Sequence, residues 1–353
     1  MIKFSKKLIA HIILSSISQF CSRKKHIVFY APIKFHATHL LPVIHQMMTN
    51  TKFRITLVGD FDDFDTLKSL PLYQYLNDLP IRQKYHIFVM TEITLPWGLR
   101  GKKVFFGHGI GPKLNYQTSI ELNSFEAIFI ACQAIYDAQQ SLKPELFKIG
   151  LPLLDAPKLT KQKSSQIHSL FNANNTKPNI IYAPSWSSDE KLISNVSLIM
   201  EQLSTLHQFN VIVSPHPNLL NPKRYSQSHL FEYTSLAVNT SESGISTFEL
   251  CQQSDAVISD ISSILFEAMA INKKVFFDGN CAIYDACGAS NVLNQLRRAI
   301  PTLCWSTPIE TQLQLMYQQY DYDKMAKYIK KYLFNHGQAT VAFINTIQHL
   351  SRT

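Results

Sequence analysis

The chain has 353 residues, 46% of them hydrophobic and 17% charged. That is long enough for two domains of ordinary size and too apolar for a disordered protein. The formal net charge of +9 lies in scattered pairs such as Lys6-Lys7, Lys102-Lys103, Lys273-Lys274 and Lys330-Lys331. Diffuse positive charge suits an anionic ligand or an acidic membrane surface, and with no recognisable nucleic-acid module no nucleic-acid partner is expected. Six cysteines (Cys21, Cys132, Cys251, Cys281, Cys287 and Cys304) form no CxxC pair. They read as inert thiols in a reducing compartment, and no zinc site is expected.

Residues 1–7 are basic and residues 8–20 largely apolar, followed by Cys21-Ser22-Arg23-Lys24-Lys25. The apolar run is shorter than the roughly 20 residues needed to span a bilayer, and no small-residue cleavage site follows it. A helix lying on a membrane surface fits this segment, residues 1–25. Apolar strand-like runs then recur at residues 26–30, 53–58, 85–90, 103–106 and 127–131, with helical stretches between them, the first at 40–48. Pro42 would be tolerated in that helix as a first-turn residue. A polar break rich in Lys, Ser and Asn at 158–178 marks a domain boundary.

The second half restarts with a strand at 179–182 and a helix at 196–207, then strands at 211–213, 256–259 and 275–277. Alternating strands and helices indicate parallel, doubly wound sheets. The expected fold is therefore α/β and GT-B-like: two Rossmann-like domains, residues 26–157 and 176–335, facing a central cleft. Residues 336–353 form a C-terminal helix that in such folds often crosses back to the first domain.

Three polar clusters fall at strand ends, where open α/β sheets bind ligands. The first is Gly107-His108-Gly109-Ile110-Gly111-Pro112-Lys113, and the second is Ser214-Pro215-His216-Pro217. The third, Ser259-Asp260-Ile261-Ser262-Ser263, runs from a buried strand into a helix start. Backbone N–H groups and the helix dipole favour an anion there. A plain helix cap would use the same residues.

With Ile149-Gly150-Leu151-Pro152, Tyr182-Ala183-Pro184-Ser185-Trp186 and Phe334-Asn335-His336-Gly337-Gln338-Ala339, these clusters form an ordered set. The set resembles the CDP-glycerol glycerophosphotransferase family, which builds teichoic acids and related phosphate-linked capsule polymers. The likeness runs from about residue 102 to the C-terminus. Three departures stand out: Ile261 occupies the place of a family tyrosine, Leu153 that of a common arginine, and His336 that of an aspartate.

The resemblance implies transfer of glycerol phosphate, or a related polyol phosphate, from a CDP-linked donor to a hydroxyl of a lipid-linked or polysaccharide acceptor. CMP would leave, on the cytoplasmic side of the membrane, with the protein bound peripherally. His108 is the expected general base, since an imidazole suits proton removal near neutral pH. His216 would stabilise the pyrophosphate or protonate the leaving CMP. Ser262 and Ser263 would bind donor phosphates at the helix start, beside Ser185 and Ser259, with Lys113 as a point charge. Glu267, one turn after Ser263, reads either as a ligand of ribose hydroxyls or as a surface helix residue. Asp260 more naturally orients its loop than meets an anion. Trp186 either lines the donor side or packs between domains. No DxD pair implies a bound metal, and no cofactor is expected. Two other readings fit the sequence: a GT-B glycosyltransferase with a sugar-nucleotide donor, and a non-catalytic binding subunit of a capsule-assembly complex.

Overall fold

The computed structural model describes residues 24–352 apart from 51, 62–63, 81–82, 94–98, 108, 111–117, 157, 172–175, 233, 241–242 and 287–290. The N-terminal segment, His108 and Lys113 thus lie outside the described residues. Two parallel sheets form. The first contains β1 (Lys25–Ala31), β2 (Phe53–Gly59), β3 (Leu72–Tyr73), β4 (Ile87–Met90), β5 (Lys102–Phe105), β6 (Ala127–Ile130) and β7 (Glu145–Lys148). Their order is β3-β2-β1-β4-β5-β6-β7. The second contains β8 (Asn179–Ala183), β9 (Asn210–Val213), β10 (Ala237–Val238), β11 (Ala256–Ser259) and β12 (Lys274–Phe277), in the order β10-β9-β8-β11-β12. Every ladder among the described residues is parallel. Helices cover both faces of such a sheet, so central strands such as Ile87–Met90, Ala127–Ile130 and Ala256–Ser259 are buried throughout and show no alternation.

In each sheet the chain winds outward to one side of its first strand and then returns to the other. This leaves a switch point between β1 and β4 in the first sheet and between β8 and β11 in the second. Loops diverge at a switch point and open a crevice at the carboxyl ends of the strands. The first helix, α1 (Lys34–Met48), begins six residues before the sequence-based expectation, so Pro42 lies inside it. Its early turns, with His36, Ala37, His39 and Leu40 buried, are held by packing on the sheet. Tertiary burial outweighs the one backbone hydrogen bond that proline removes.

Four further helices position the functional loops: α2 (Thr247–Gln253), α3 (Ser263–Ala270), α4 (Tyr322–Tyr332) and α5 (Ala339–Leu350). The last packs on the first sheet and on α1. Its Phe343 ring meets Phe29, Phe106 and Phe129 at 6.5, 5.3 and 4.8 Å between centroids, each pair worth about 0.5–1.5 kcal/mol beyond area burial. The segment leading into α5 is stitched to the same sheet. The Phe334 N–H donates to the Ala131 carbonyl at 3.1 Å, and Asn335 Nδ2 donates to the carbonyls of Lys148 and Ile149. Gly150 faces this stitch at φ +92°; a Cβ there would sit 2.2 Å from the Phe334 oxygen. Glycine is the residue that admits so close a crossing of two backbones.

Candidate functional site

Because β8 lies between β9 and β11, three loops leave the second sheet side by side: Pro184-Ser185-Trp186, Ser214-Pro215-His216 and Asp260-Ile261-Ser262. Asp260, 2% exposed, ties two of them together across the switch point. Its carboxylate accepts the Ser185 N–H at 3.1–3.2 Å and the Ile261 N–H at 2.6 Å. Hydrogen bonds of backbone N–H groups to a carboxylate are among the stronger ones, so the loops are held at a set spacing. Asp260 therefore shapes the loops.

His216 caps the short 3-10 turn Pro217–Leu219, its Nδ1 accepting the Asn218 N–H at 3.2 Å. A neutral ring with Nδ1 as acceptor carries its proton on Nε2. The ring stacks on Trp186, centroids 6.1 Å apart and planes 22° from parallel. Trp186 is itself half-buried, with Nε1 donating to the Arg224 carbonyl at 3.4 Å. The stack fixes the plane of the imidazole, and Trp186 thus belongs with the loops at the carboxyl ends of the second sheet.

Ser262 is the N-cap of α3, accepting the Ile264 N–H at 3.4 Å. The first-turn N–H groups of this helix point out at the carboxyl edge of the sheet, where an anion is favoured. Ser263 opens the helix and meets the other half of the molecule. A Cβ on Gly109, at φ +78°, would lie 3.1 Å from Ser263 Oγ and 3.2 Å from its Cβ. The loop that carries His108 therefore rests against the start of α3. The next residue, Ile110, is fully buried and its carbonyl accepts the Tyr332 hydroxyl at 2.7 Å.

The remaining expected residues sit deeper. Ser259 is fully buried and its hydroxyl donates to the Ala183 carbonyl, which commits the side chain to joining β11 to β8 rather than to a ligand. Glu267 is not a surface residue: it is 4% exposed, hydrogen-bonded to Ser263, with Oε1 unpartnered. Burial pushes its carboxyl up to about 7. It stands beneath Ser263, from which side it supports the helix start. Ser185 reaches the site through its backbone, as its N–H is bound to Asp260.

Two groups of residues were missed from the sequence. Asp278, Ser194 and Tyr182 form a buried cluster with Asp260 at the ends of β8, β11 and β12. An aspartate directly after an apolar strand, Val275-Phe276-Phe277-Asp278, was the available signal. At the switch point of the first sheet, His36 Nδ1 lies 3.3 Å from Glu92 and 3.4 Å from Thr91, whose hydroxyl donates to the Tyr30 carbonyl. Here the signal was polar residues after Met90, at another strand end. Among the described residues no group of three or more His, Cys, Asp or Glu side chains could hold a metal ion.

The sequence profile of the family CDP-Glycerol:Poly(glycerophosphate) glycerophosphotransferase matches residues 130–348, well over half of the chain. The chain belongs to this family. It is accordingly a glycerophosphotransferase-like transferase. No curated protein matches it in sequence. Among solved structures it is similar to the wall teichoic acid polymerase TagF at 17% identity and TM-score 0.67, with 98% of this chain and 96% of that one covered. A TagF variant gives 14% identity and TM-score 0.69 over 98% and 96%. The S. aureus MnaA–UDP co-structure gives 11% identity and TM-score 0.60 over 92% and 96%. These likenesses establish the shared fold, a GT-B-like pair of doubly wound parallel sheets. Among the described residues no helix is long and apolar enough to cross a membrane.

Proposed function

We propose that this glycerophosphotransferase moves glycerol phosphate, or a related polyol phosphate, from a CDP-linked donor to a hydroxyl of a lipid-linked or polysaccharide acceptor, in synthesis of a teichoic-acid-type wall or capsule polymer. The observation that carries the reading is the seating of Gly109, next to His108, on Ser263 at the start of α3, beside the loops of Ser185 and His216. Residues from both halves of the chain meet where the second sheet opens. A TagF structure soaked with CDPG supports the choice of donor.

In this reading the donor diphosphate lies on the N–H groups of Ser262, Ser263 and their neighbours, with Lys113 adding positive charge. His108 takes the proton of the acceptor hydroxyl. The acceptor oxygen attacks the phosphorus that bears glycerol, and the bond from that phosphorus to the bridging oxygen breaks. CMP departs with the electron pair. His216, whose Nδ1 is occupied as an acceptor, offers an Nε2–H to the leaving phosphate. Residues 1–20 hold the protein peripherally on the anionic cytoplasmic face of the membrane, as the basic flanks of that segment and the +9 net charge favour.

The test is CMP release from CDP-glycerol by purified protein with a crude lipid-linked acceptor. His108→Ala and His216→Ala should each lower kcat by about 10²–10⁴-fold, the range typical of general acid–base groups. His108→Ala should leave CDP-glycerol binding nearly intact. No CMP release with any acceptor, together with thermal stabilisation by a UDP- or GDP-linked sugar, would overturn the reading.

A further inference from the structure

Beneath the donor loops, β11 and β12 run parallel and in register, with Ser259 opposite Phe277, so the aspartates that follow them are neighbours. Asp260 and Asp278 are each 2% exposed. Ser194 stands between them, its Oγ 2.6 Å from Asp278 Oδ2 and 3.4 Å from Asp260 Oδ2. A serine hydroxyl has one proton to donate and two lone pairs to accept with. Asn280 Nδ2 fills one lone pair, at 3.1 Å. If both carboxylates were ionised, the single serine proton would serve one of them and two like charges would face each other away from water.

We propose that Asp278 is a positioning residue: as the neutral acid it donates to Ser194, Ser194 donates to Asp260, and Asp260 alone carries the charge that holds the donor loops. In this arrangement Asn280 and Asp278 fill the two lone pairs of Ser194, and its proton is directed at Asp260. Asp278 Oδ1 accepts the Asn280 N–H at 2.9 Å, which leaves the acid proton on Oδ2, the oxygen next to Ser194. Asp260 spends its charge on the N–H groups of Ser185 and Ile261. The ionisable groups that bear on Asp278 are Asp260, just after β11, and Tyr182 on β8; Arg297 lies over the adjacent Phe277 ring, 5.6 Å from its centroid. Tyr182 is fully buried with its hydroxyl turned toward Ser194 but outside good hydrogen-bond geometry, and burial pushes that hydroxyl well up, so it stays neutral. Burial first, and then the Asp260 charge, push the Asp278 carboxyl up to about 7.

The kinetic form of the test rests on the phosphotransferase reading; the thermal form does not. As pH rises past the titration of Asp278, the second charge should drive the β11 and β12 loops apart. The wild-type KM for CDP-glycerol should then rise, by up to about ten-fold per pH unit above that point, with kcat changing less. Asp278→Asn, which keeps a donor toward Ser194, should hold KM within about two-fold over the same range.

Independently of turnover, a carboxyl raised in the folded state binds its proton there between its ordinary value of 3.8 and about 7. Folding stability therefore falls as pH rises through that window. The Tm should fall more steeply from pH 5 to pH 8 in the wild type than in D278N; the slope that both share combines Glu267, which lowers Tm as pH rises, with His26, which burial lowers to about 4 and which raises Tm up to about pH 6.5. A flat wild-type KM profile, or a D278N profile parallel to it, would overturn the assignment. Without turnover on CDP-glycerol, the phosphotransferase reading fails and the Tm slopes decide: unequal slopes uphold the role of Asp278 and equal slopes reject it. If D278N does not fold, the wild-type KM profile carries the test, and a flat profile rejects it.

Discussion

Tyr332→Phe isolates one atom that links the end of α4 to the loop of His108. The Tyr332 hydroxyl donates to the Ile110 carbonyl at 2.7 Å, and both residues are almost wholly buried. The phenol ring stacks on Phe266 of α3, with centroids 5.1 Å apart and planes 24° from parallel. Phenylalanine keeps that ring and its volume, so the change is confined to the hydroxyl. The Ile110 carbonyl then lies buried without this donor, which costs about 1–3 kcal/mol. For a domain of 150–250 residues, each kcal/mol lowers Tm by about 2–4 °C. The hydroxyl also bonds to the Cys132 thiol, which burial pushes up to about 11 and keeps protonated, so no charge change complicates the comparison.

The effect on chemistry follows from position. Ile110 is two residues beyond His108 and adjacent to Gly109, which rests on Ser263. A shift of about 1 Å in a positioned group costs up to about 10²-fold in rate. Y332F should therefore lower kcat for CMP release at least about ten-fold while leaving donor KM nearly unchanged. The measurements are thermal unfolding and steady-state kinetics on the same preparation. A lower Tm with unaltered kcat would make the bond structural only and refute the positioning argument. An unaltered Tm would show that the Ile110 carbonyl does not depend on Tyr332 at all.

Gly109→Ala places a methyl 3.1–3.2 Å from Ser263 in a left-handed conformation, a strain of about 1–3 kcal/mol. Donor KM should rise; an unchanged KM would separate this loop from the phosphate site. Gly150→Ala meets a backbone oxygen at 2.2 Å with φ at +92°, and no flexible atom is there to yield. It should give little folded protein, and a G150A variant with native Tm would refute the stitch to Phe334. Glu267, raised by burial to about 7 from 4.5, binds a proton in the folded state that the unfolded chain has lost. Stability should fall as pH rises through that window, and Glu267→Gln should flatten the fall in Tm; equal slopes would refute it.

Much of the fold was legible because buried parallel strands are continuous apolar runs, and runs such as Ile87–Met90 and Ala256–Ser259 stand out from helical stretches. The strands that escaped notice were Leu72–Tyr73, Glu145–Lys148 and Ala237–Val238, which lie at the sheet edges, are short, and are partly exposed. Their pairing comes from the neighbouring strand rather than from their own composition. The start of α1 was missed for a related reason. His36 and His39 read as polar, yet they are buried against the sheet. In the site, the loop residues were visible as Gly, Pro and His at strand ends. The supporting layer was not, because Asp278 and Ser194 lie 84 residues apart and only the folding of the loop after β8 across the ends of β11 and β12 brings them together.

The motifs that carry the family resemblance perform two physically different tasks. Those around Gly109, Ser185, His216 and Ser263 converge where the second sheet opens. Gly150-Leu151-Pro152 and Phe334-Asn335 instead meet each other and bind the C-terminal segment to the first sheet. The departures fall into the same two classes. Leu153, in the turn after Pro152, is buried at 7% exposure where the turn packs on α1 and α5, so a residue in the place of a family arginine here serves packing. Ile261, in the place of a family tyrosine, is 1% exposed, and it acts on the loop through its N–H to Asp260. His336 alone is exposed. An arginine at 153 would have to bury a charge in that packing, at a cost of several kcal/mol unless paired. Under the proposed function, phosphate recognition then falls to helix N–H groups and to the His108 and His216 loops, which makes the spacing held by Asp260 the more consequential for donor binding.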